Sequence, residues 1–340
     1  MKKQILGQYF TIKDNWLLPQ IKEFIINSNC SIAYDPFVGD GDMLLTAKSL
    51  GINKTIGLDV EPKHEHKYND SLSHIPTIKN AIVITNPPYL TNYSAKRKKI
   101  YKSVSKYFET SRYDNIYLIA LEKMLQAQKY VVAIVPETFI NSNFKDKTKL
   151  SSITIIEDNC FCDTEAPVCV VCFDGLAKDY AKIKVFKNNK YLNTLAYYEK
   201  MRMRPERSIK IRFNDIKGGI ALRAVDTTNP NRCIEFMEPK YLDYDLSGIK
   251  HSSRLITLIN IAGFRGRDLD IIINESNHIL NEYRKKTDDV LLSPFKGNMS
   301  NGQRRRRLDY KTASAIIEKA CKKILFKGDL WKTLNFSNSH

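Results

Sequence analysis

Apolar residues in the first half of the chain fall into short unbroken runs, separated by stretches in which they recur every three or four positions. The runs "SIAYD" (31–35), "TIGLD" (55–59), "NAIVITN" (80–86) and "YVVAIV" (130–135) read as strands. Each is short, rich in β-branched residues and closed by turn signals, as expected of a strand covered on both faces. Between them "MLLTAKSL" and "NIYLIALEKMLQAQ" carry helical spacing, and Gly51 supplies a stop for the first. "ITII" and "VCVVCF" read as closing strands. Strands alternating with helices predict an α/β fold built on a doubly wound, Rossmann-like, mostly parallel sheet.

The pattern changes further on. "KMRMRPERSIKIR" (200–212), "KGGIALRAVDTTNPNR" and "AGFRGRD" are short, basic and turn-rich. Two amphipathic helices follow, one with Leu269, Ile272, Ile273, Ile279, Leu280 and Tyr283 in register, the other with Ala313, Ile316, Ile317, Ala320 and Ile324. Those stripes are core rather than chemistry. Between them "SPFKGNMSNGQRRRR" reads as a Gly/Ser/Asn-rich loop ending in Arg304, Arg305, Arg306 and Arg307. It is expected to order on a polyanion; the competing reading is a solvated charge run. The predicted division is an α/β domain over 1–178 and a smaller basic α+β domain over 179–340.

Charge sharpens that division. The 340 residues carry a net +17, but residues 1–178 hold 22 Lys+Arg against 19 Asp+Glu, and residues 179–340 hold 32 against 18. Nearly all the excess sits in the second part, which suggests a polyanion-binding half joined to a more neutral one; the competing reading is a merely soluble basic surface or attraction to anionic lipid. No apolar stretch approaches the ~20 residues that cross a bilayer, and "MKKQILGQYFT" runs into polar residues where a secretory leader needs its apolar core. The expectation is a cytoplasmic protein without membrane contact. Seven cysteines form no disulfide framework, which suits a reducing compartment. Cys160, Cys162, Cys169 and Cys172 invite a metal reading, but Cys169 and Cys172 fall within an apolar strand on opposite faces and are read as core; no metal is expected.

Ligands of open parallel sheets sit at the strands' carboxyl ends, and each predicted strand end here carries a candidate group. After the first strand, "DPFVGDGD" offers Asp35 and a turn in which Gly39 and Gly41 allow close backbone approach before a helix N-terminus. It lacks the full dinucleotide or Walker pattern. Asp59 ends the second strand about 20 residues later, where a carboxylate can accept from ribose hydroxyls; Asp70 follows in "YNDSL". Asp59 or Asp70 taken singly reads rather as a helix cap or solvated loop carboxylate; what favours a ligand role is their order along the chain. "NPPY" (86–89) closes the third strand: two prolines hold Asn86 and the Pro87 carbonyl rigidly, and Tyr89 offers a flat face.

Taken in order, "GQYFT" (7–11), "DPFVGDG" (35–41), "GLDVEPK" (57–63), "NDSL" (69–72) and "NPPY" (86–89) resemble the amino-methylating DNA methyltransferases, specifically the gamma group of adenine methyltransferases of restriction-modification systems. The resemblance covers about residues 7–175. It implies S-adenosylmethionine as cofactor, with Thr11 and Asp35 near its methionine end, Gly39 and Gly41 beside it, Asp59 on the ribose and Asp70 on the adenine. It implies that Asn86, Pro87 and Tyr89 are catalytic, with Tyr89 and Phe161 stacking on a flipped adenine, and that the C-terminal part recognises double-stranded DNA. The four arginines become DNA contacts in that setting, and a cognate restriction endonuclease acting separately becomes a candidate partner. Three alternatives stand beside it: RNA adenine methylation, protein-glutamine methylation through the same pocket type, and a non-catalytic DNA-binding subunit.

Overall fold

The computed structural model describes residues 15–63, 65–161, 165–242 and 255–336, with side chains to residue 325 in the last helix. Thr11 and Cys162 lie outside the described residues. The chain forms two compact units, Met1–Glu199 and Lys200–His340. That junction lies 21 residues beyond the expected 178/179 boundary, and the reason is visible in the sheet.

The first unit runs α1 (Pro19–Asn27), β1 (Ile32–Asp35), α2 (Asp42–Ser49), β2 (Lys54–Asp59), β3 (Lys67–Tyr68), β4 (Ala81–Thr85), α3 (Asn92–Arg97), α4 (Tyr101–Glu109), α5 (Ile116–Ala127), β5 (Tyr130–Pro136), β6 (Leu150–Ile156), β7 (Val168–Phe173), β8 (Lys184–Lys187), β9 (Lys190–Thr194) and α6 (Leu195–Met201), which crosses the junction. Its nine strands form one sheet in the order β3-β2-β1-β4-β5-β7-β6-β8-β9. Strands β3, β2, β1, β4 and β5 are parallel, and β7 runs antiparallel to both β5 and β6. The central runs are strands for the reason their sequences suggest: β1, β4 and β7 are buried at every position, and β-branched and aromatic residues fill such a surface well.

β8 pairs parallel with β6 and β9 closes the edge antiparallel to β8, which carries the unit past residue 178. Both are partly exposed, and each opens on a lysine, a residue that discourages further pairing at a sheet edge. Because β1 has β2 on one side and β4 on the other, the chain's direction of winding reverses between β1 and β4. That reversal opens a crevice at the carboxyl ends of these two strands.

The second unit contains β10 (Ile211–Phe213), β11 (Ile220–Arg223), β12 (Glu235–Met237), β13 (Ile256–Ile261), α7 (Arg267–Thr287), β14 (Ser293–Asn298), β15 (Arg304–Arg307) and α8 (Tyr310–Phe336). Four strands make an antiparallel sheet in the order β10-β13-β11-β12, and β14 and β15 make a separate two-stranded ribbon. The helical stripes are core as expected, with Ile272, Ile279, Leu280 and Tyr283 of α7 and Ala313, Ile316, Ile317 and Ala320 of α8 buried. Asn277 fastens α7 to the edge of the sheet, its amide accepting from the Phe236 N–H (2.9 Å) and donating to the Phe236 carbonyl (2.7 Å).

The four arginines are corrected here. They form β15, with Arg304 (9% exposed) and Arg306 (1%) buried and Arg305 and Arg307 half-buried. The two-residue period of a strand sends alternate side chains to opposite faces, so only half of the run is presented outward. The segment is an ordered ribbon and not a loop awaiting a ligand.

Candidate active site

Asp35 ends β1 and is 1% exposed. Its Oδ1 accepts from the Phe37 N–H (2.9 Å) and from the Thr85 hydroxyl on the adjacent β4 (2.5 Å). Burial pushes its pKa up to about 7, and the nearby charge of Asp59 adds to the rise against the two hydrogen bonds. A carboxyl that is half-ionised near neutrality, at the mouth of a sheet crevice, marks a place where a cation would be welcome.

Asp59 ends β2 and is itself largely buried. Its Oδ2 accepts from the Gly39 N–H (3.0 Å) and its Oδ1 from the Glu61 N–H (2.9 Å). The glycine turn is thereby tied to the second strand, with a further bond from Val38 N–H to the Leu58 carbonyl. Gly39 and Gly41 have φ of +54° and +93°, conformations that any side chain would strain, and beyond Gly39 there is open space where a Cβ would stand. Gly41 caps α2. Asp59 thus holds the turn, in keeping with the loop-carboxylate reading its sequence also allowed.

Asp70 lies two residues past β3. Its carboxylate accepts from Ser73 Oγ (2.8 Å), Lys106 Nζ (2.8 Å) and Tyr107 OH (2.9 Å). Burial works to raise its pKa, but the bonds from Lys106, Ser73 and Tyr107 and the Lys106 charge outweigh it and hold the group below its ordinary value. Lys106 and Tyr107 sit on α4, anchored by buried Val104 and Phe108. Neither was singled out in the sequence; the only signal was the i, i+4 spacing of Val104 and Phe108 in "YKSVSKYFE".

Asp59 and Asp70 border one pocket of about 230 Å³. Phe37, Val60, Leu72, Pro88, Leu90 and Val104 give it apolar walls, and Tyr107 and Ser71 add polar groups. Apolar walls with the acidic side chains of Asp59, Glu61 and Asp70 at the border suit an apolar-faced ligand that donates hydrogen bonds.

β4 delivers the tetrapeptide to the same crevice. Pro87 is buried and Asn86 half-buried. Tyr89 OH lies 2.6 Å from Asn86 Oδ1 and 2.9 Å from the Ile134 carbonyl of β5, so the tyrosine, the asparagine and the neighbouring strand are fixed together. Phe161 is brought beside Tyr89 with ring centroids 6.2 Å apart and planes at 73°; Tyr117 approaches the same ring at 6.4 Å and 80°. The two rings expected to stack on a base are thus neighbours. Phe161 is fully buried and meets Tyr89 edge to face, one of the two preferred packings of aromatic rings. Tyr89 is the half-buried member, while Tyr117 and Phe161 are buried.

Residues 50–162 match the model of the Eco57I restriction-modification methylase family. The methylase-like segment is a third of the chain and takes in Asp59, Asp70, the tetrapeptide, α5, β5 and Phe161, but not Asp35 or the glycine turn. No curated protein matches the sequence. Among solved structures, the chain is similar to the methyltransferase subunit of a type I restriction-modification system from Streptococcus thermophilus (17% identity, TM-score 0.38, 57% of this chain and 52% of that one). It is also similar to the M protein of the type I restriction enzyme EcoKI (12%, 0.37, 84% and 73%). A third is a Listeria monocytogenes protein assigned as a class I S-adenosylmethionine-dependent methyltransferase (13%, 0.34, 53% and 68%). The chain spans about half the length of the Streptococcus subunit. At such distances these likenesses add nothing to the chemistry read from the site.

Proposed function

We propose that the first unit binds S-adenosylmethionine and methylates the exocyclic amino nitrogen of an adenine flipped out of duplex DNA, as the modification enzyme of a restriction-modification system. The observation that carries this reading is the bond from Thr85 to Asp35. It locks the strand ending in Asn86 to the strand whose buried carboxyl suits a cation, directly beside the pocket bordered by Asp59 and Asp70.

The residues present fit the cofactor. Asp59 would hold the ribose hydroxyls, Asp70 the adenine amino group, and Asp35 with the Gly39–Gly41 turn the methionine end. When bound, the cofactor supplies a methyl group on a cationic sulfonium. Asp35, charged once that cation is near, stabilises it. The amino nitrogen of adenine is a weak nucleophile because its lone pair is delocalised into the ring. Asn86 Oδ1 and the Pro87 carbonyl, at fixed separation, would accept hydrogen bonds from its two N–H groups and draw the nitrogen towards tetrahedral geometry; as the nitrogen takes the methyl group it releases one of these protons to solvent. An amide oxygen has two lone pairs, so the bond from the Tyr89 hydroxyl to Asn86 Oδ1 is compatible with one from the amine. Extrusion of the base costs a few kcal/mol, and stacking on Tyr89 returns about 1–3 kcal/mol.

The test is transfer of a radiolabelled methyl group from S-adenosylmethionine into duplex DNA, RNA and a protein extract by the full chain and by Asn86→Ala. Label is expected in duplex DNA from the unaltered chain only. Label confined to RNA or protein, or DNA labelling that survives Asn86→Ala, would overturn the proposal.

A further inference from the structure

The second unit carries a net +12 over residues 200–340, with 28 Lys+Arg against 16 Asp+Glu, yet its acids and bases are unevenly placed. Residues 290–308, which contain the β14–β15 ribbon, include no acid, and neither does the loop 227–234. These two segments meet: Ser300 N–H, in the ribbon's turn, donates to the Thr228 carbonyl at 2.8 Å.

A buried clamp sets their geometry. Asp226, fully buried at the base of the loop, accepts from the Ile234 N–H (2.9 Å), from the Arg306 N–H of β15 (2.9 Å), and from both terminal nitrogens of Arg284 on α7 (2.9 and 3.0 Å). Arg284 also binds Asp289. The loop, the ribbon and the long helix are thus held at one point by charge-assisted bonds in a place sheltered from water, where such bonds are strong.

The ribbon's turn is ordered too. Met299 is buried beneath it, its N–H donating to the Gln303 carbonyl (2.8 Å), and Gly302 N–H donates back to the Met299 carbonyl (2.9 Å). The exposed Asn301 and Gln303 side chains are joined, Asn301 Nδ2 donating to Gln303 Oε1 at 3.0 Å, while Asn301 Oδ1 accepts the Gln303 N–H at 3.1 Å. Behind the turn lie exposed Lys296 and half-buried Arg305 and Arg307; Arg305 stands over the Phe295 ring at 4.9 Å, its Nε donating to the Asp226 carbonyl (2.8 Å) and Nη1 to the Lys296 carbonyl (3.4 Å), which leaves Nη2 to face a phosphate.

A two-stranded ribbon fits the major groove of B-DNA. Cations behind it and neutral amides at its tip match the two halves of recognition, since phosphate contacts position a protein and base-edge contacts specify the sequence. We propose that the β14–β15 ribbon enters the major groove of the target, that Gln303 reads a base edge there with its amide fixed by Asn301, and that Lys296, Arg305 and Arg307 engage phosphates. Gln303 presents a donor and an acceptor side by side, the complement of an adenine edge. This inference rests on the proposed DNA methylation and adds where the sequence is read.

The full chain, Gln303→Ala, Gln303→Arg, and the triple variant Lys296→Ala, Arg305→Ala, Arg307→Ala are each used to methylate a library of duplexes with a randomised core. Modified products are sequenced, and affinity for a random-sequence duplex is measured against salt. Gln303→Ala should lose roughly 5- to 150-fold discrimination at one base pair, with the salt dependence unchanged. Gln303→Arg, which keeps the turn, should shift the preferred base at that position to guanine. The triple variant should keep the motif while the slope of log affinity against log salt flattens by ~0.9 for each phosphate no longer neutralised. An identical motif from both Gln303 variants would overturn the ribbon as reader, as would a triple variant with an unaltered slope. Failure of the unaltered chain to modify any duplex is a separate result that sinks the proposed function itself.

Discussion

The Asp35→Asn substitution isolates one charge. Both hydrogen bonds to the Asp35 carboxyl are accepted by Oδ1, which an asparagine retains, so the exchange removes ionisation with little change in shape. In the unfolded chain this carboxyl titrates near 3.8, and burial raises it to about 7 in the fold. Below pH ~4 both states hold the proton and the group is neutral to stability. Between ~4 and ~7 the folded state keeps a proton that the unfolded state has released, so stability falls as pH rises, and the full cost is present above ~7. Three pKa units amount to about 4 kcal/mol, an order-of-magnitude figure. The melting temperature of the unaltered chain should therefore drop relative to Asp35→Asn as pH is raised from 5 to 8. Calorimetric titration gives the functional half of the test. Binding a sulfonium requires the proton to leave, so affinity for S-adenosylmethionine should rise with pH up to ~7, by at most about tenfold per unit. The Asp35→Asn profile should be flat and weaker at high pH by roughly 1.5–3 kcal/mol. S-adenosylhomocysteine, which lacks the cationic centre, should show a shallower dependence. Melting curves of the two chains that shift in parallel with pH would refute a titration of Asp35 near neutrality.

Asn86→Ala should lower kcat by about 10²–10³ while the dissociation constant for S-adenosylmethionine is unchanged; single-turnover kinetics near normal would remove the assigned role. Asp59→Ala should weaken cofactor binding by roughly 1.5–3 kcal/mol, partly because the Gly39 N–H loses its acceptor, and unchanged calorimetry would contradict both functions of this carboxylate. Phe161→Ala should cost ~3–5 kcal/mol in denaturant unfolding, as deletion of a buried ring does; a loss well under 1 kcal/mol would mean that the ring is free to stack on a base.

The central strands and the strand-end residues were legible because the same physics writes both. A strand covered on two faces must be a short apolar run, and its carboxyl end, facing a crevice, is free to carry polar chemistry. β8 and β9 were missed because, at four and five residues of mixed polar and apolar character with a single buried position between them, they carry no apolar run and read as loop. The arginine run misled for a related reason. Charge clusters are usually solvated, yet Arg304 and Arg306 are buried on a ribbon pinned through Asp226, an acid nearly eighty residues away in sequence. No local pattern announces such a pairing. Lys106 and Tyr107 escaped notice likewise, since their partner Asp70 stands on another element.

The tetrapeptide's stiffness acquires its meaning from what surrounds it. Proline alone would fix only the local path of the chain. Thr85, one residue before Asn86, is bonded across to Asp35 on β1, and Tyr89, three residues after, reaches Asn86 and the Ile134 carbonyl on β5. The amine acceptor is thus bracketed from both sides by bonds to the two strands that flank β4, and all three strands are buried along nearly their whole length. A small displacement of Asn86 would have to break a buried hydrogen bond or shift a packed sheet. Effects of positioning are steep, with misplacement by ~1 Å worth about 10² in rate, so a site that works by orienting a weak nucleophile gains more from such rigidity than from any additional acid or base. On this view the fold contributes to catalysis through β1 and β5 as directly as through the four residues at the end of β4.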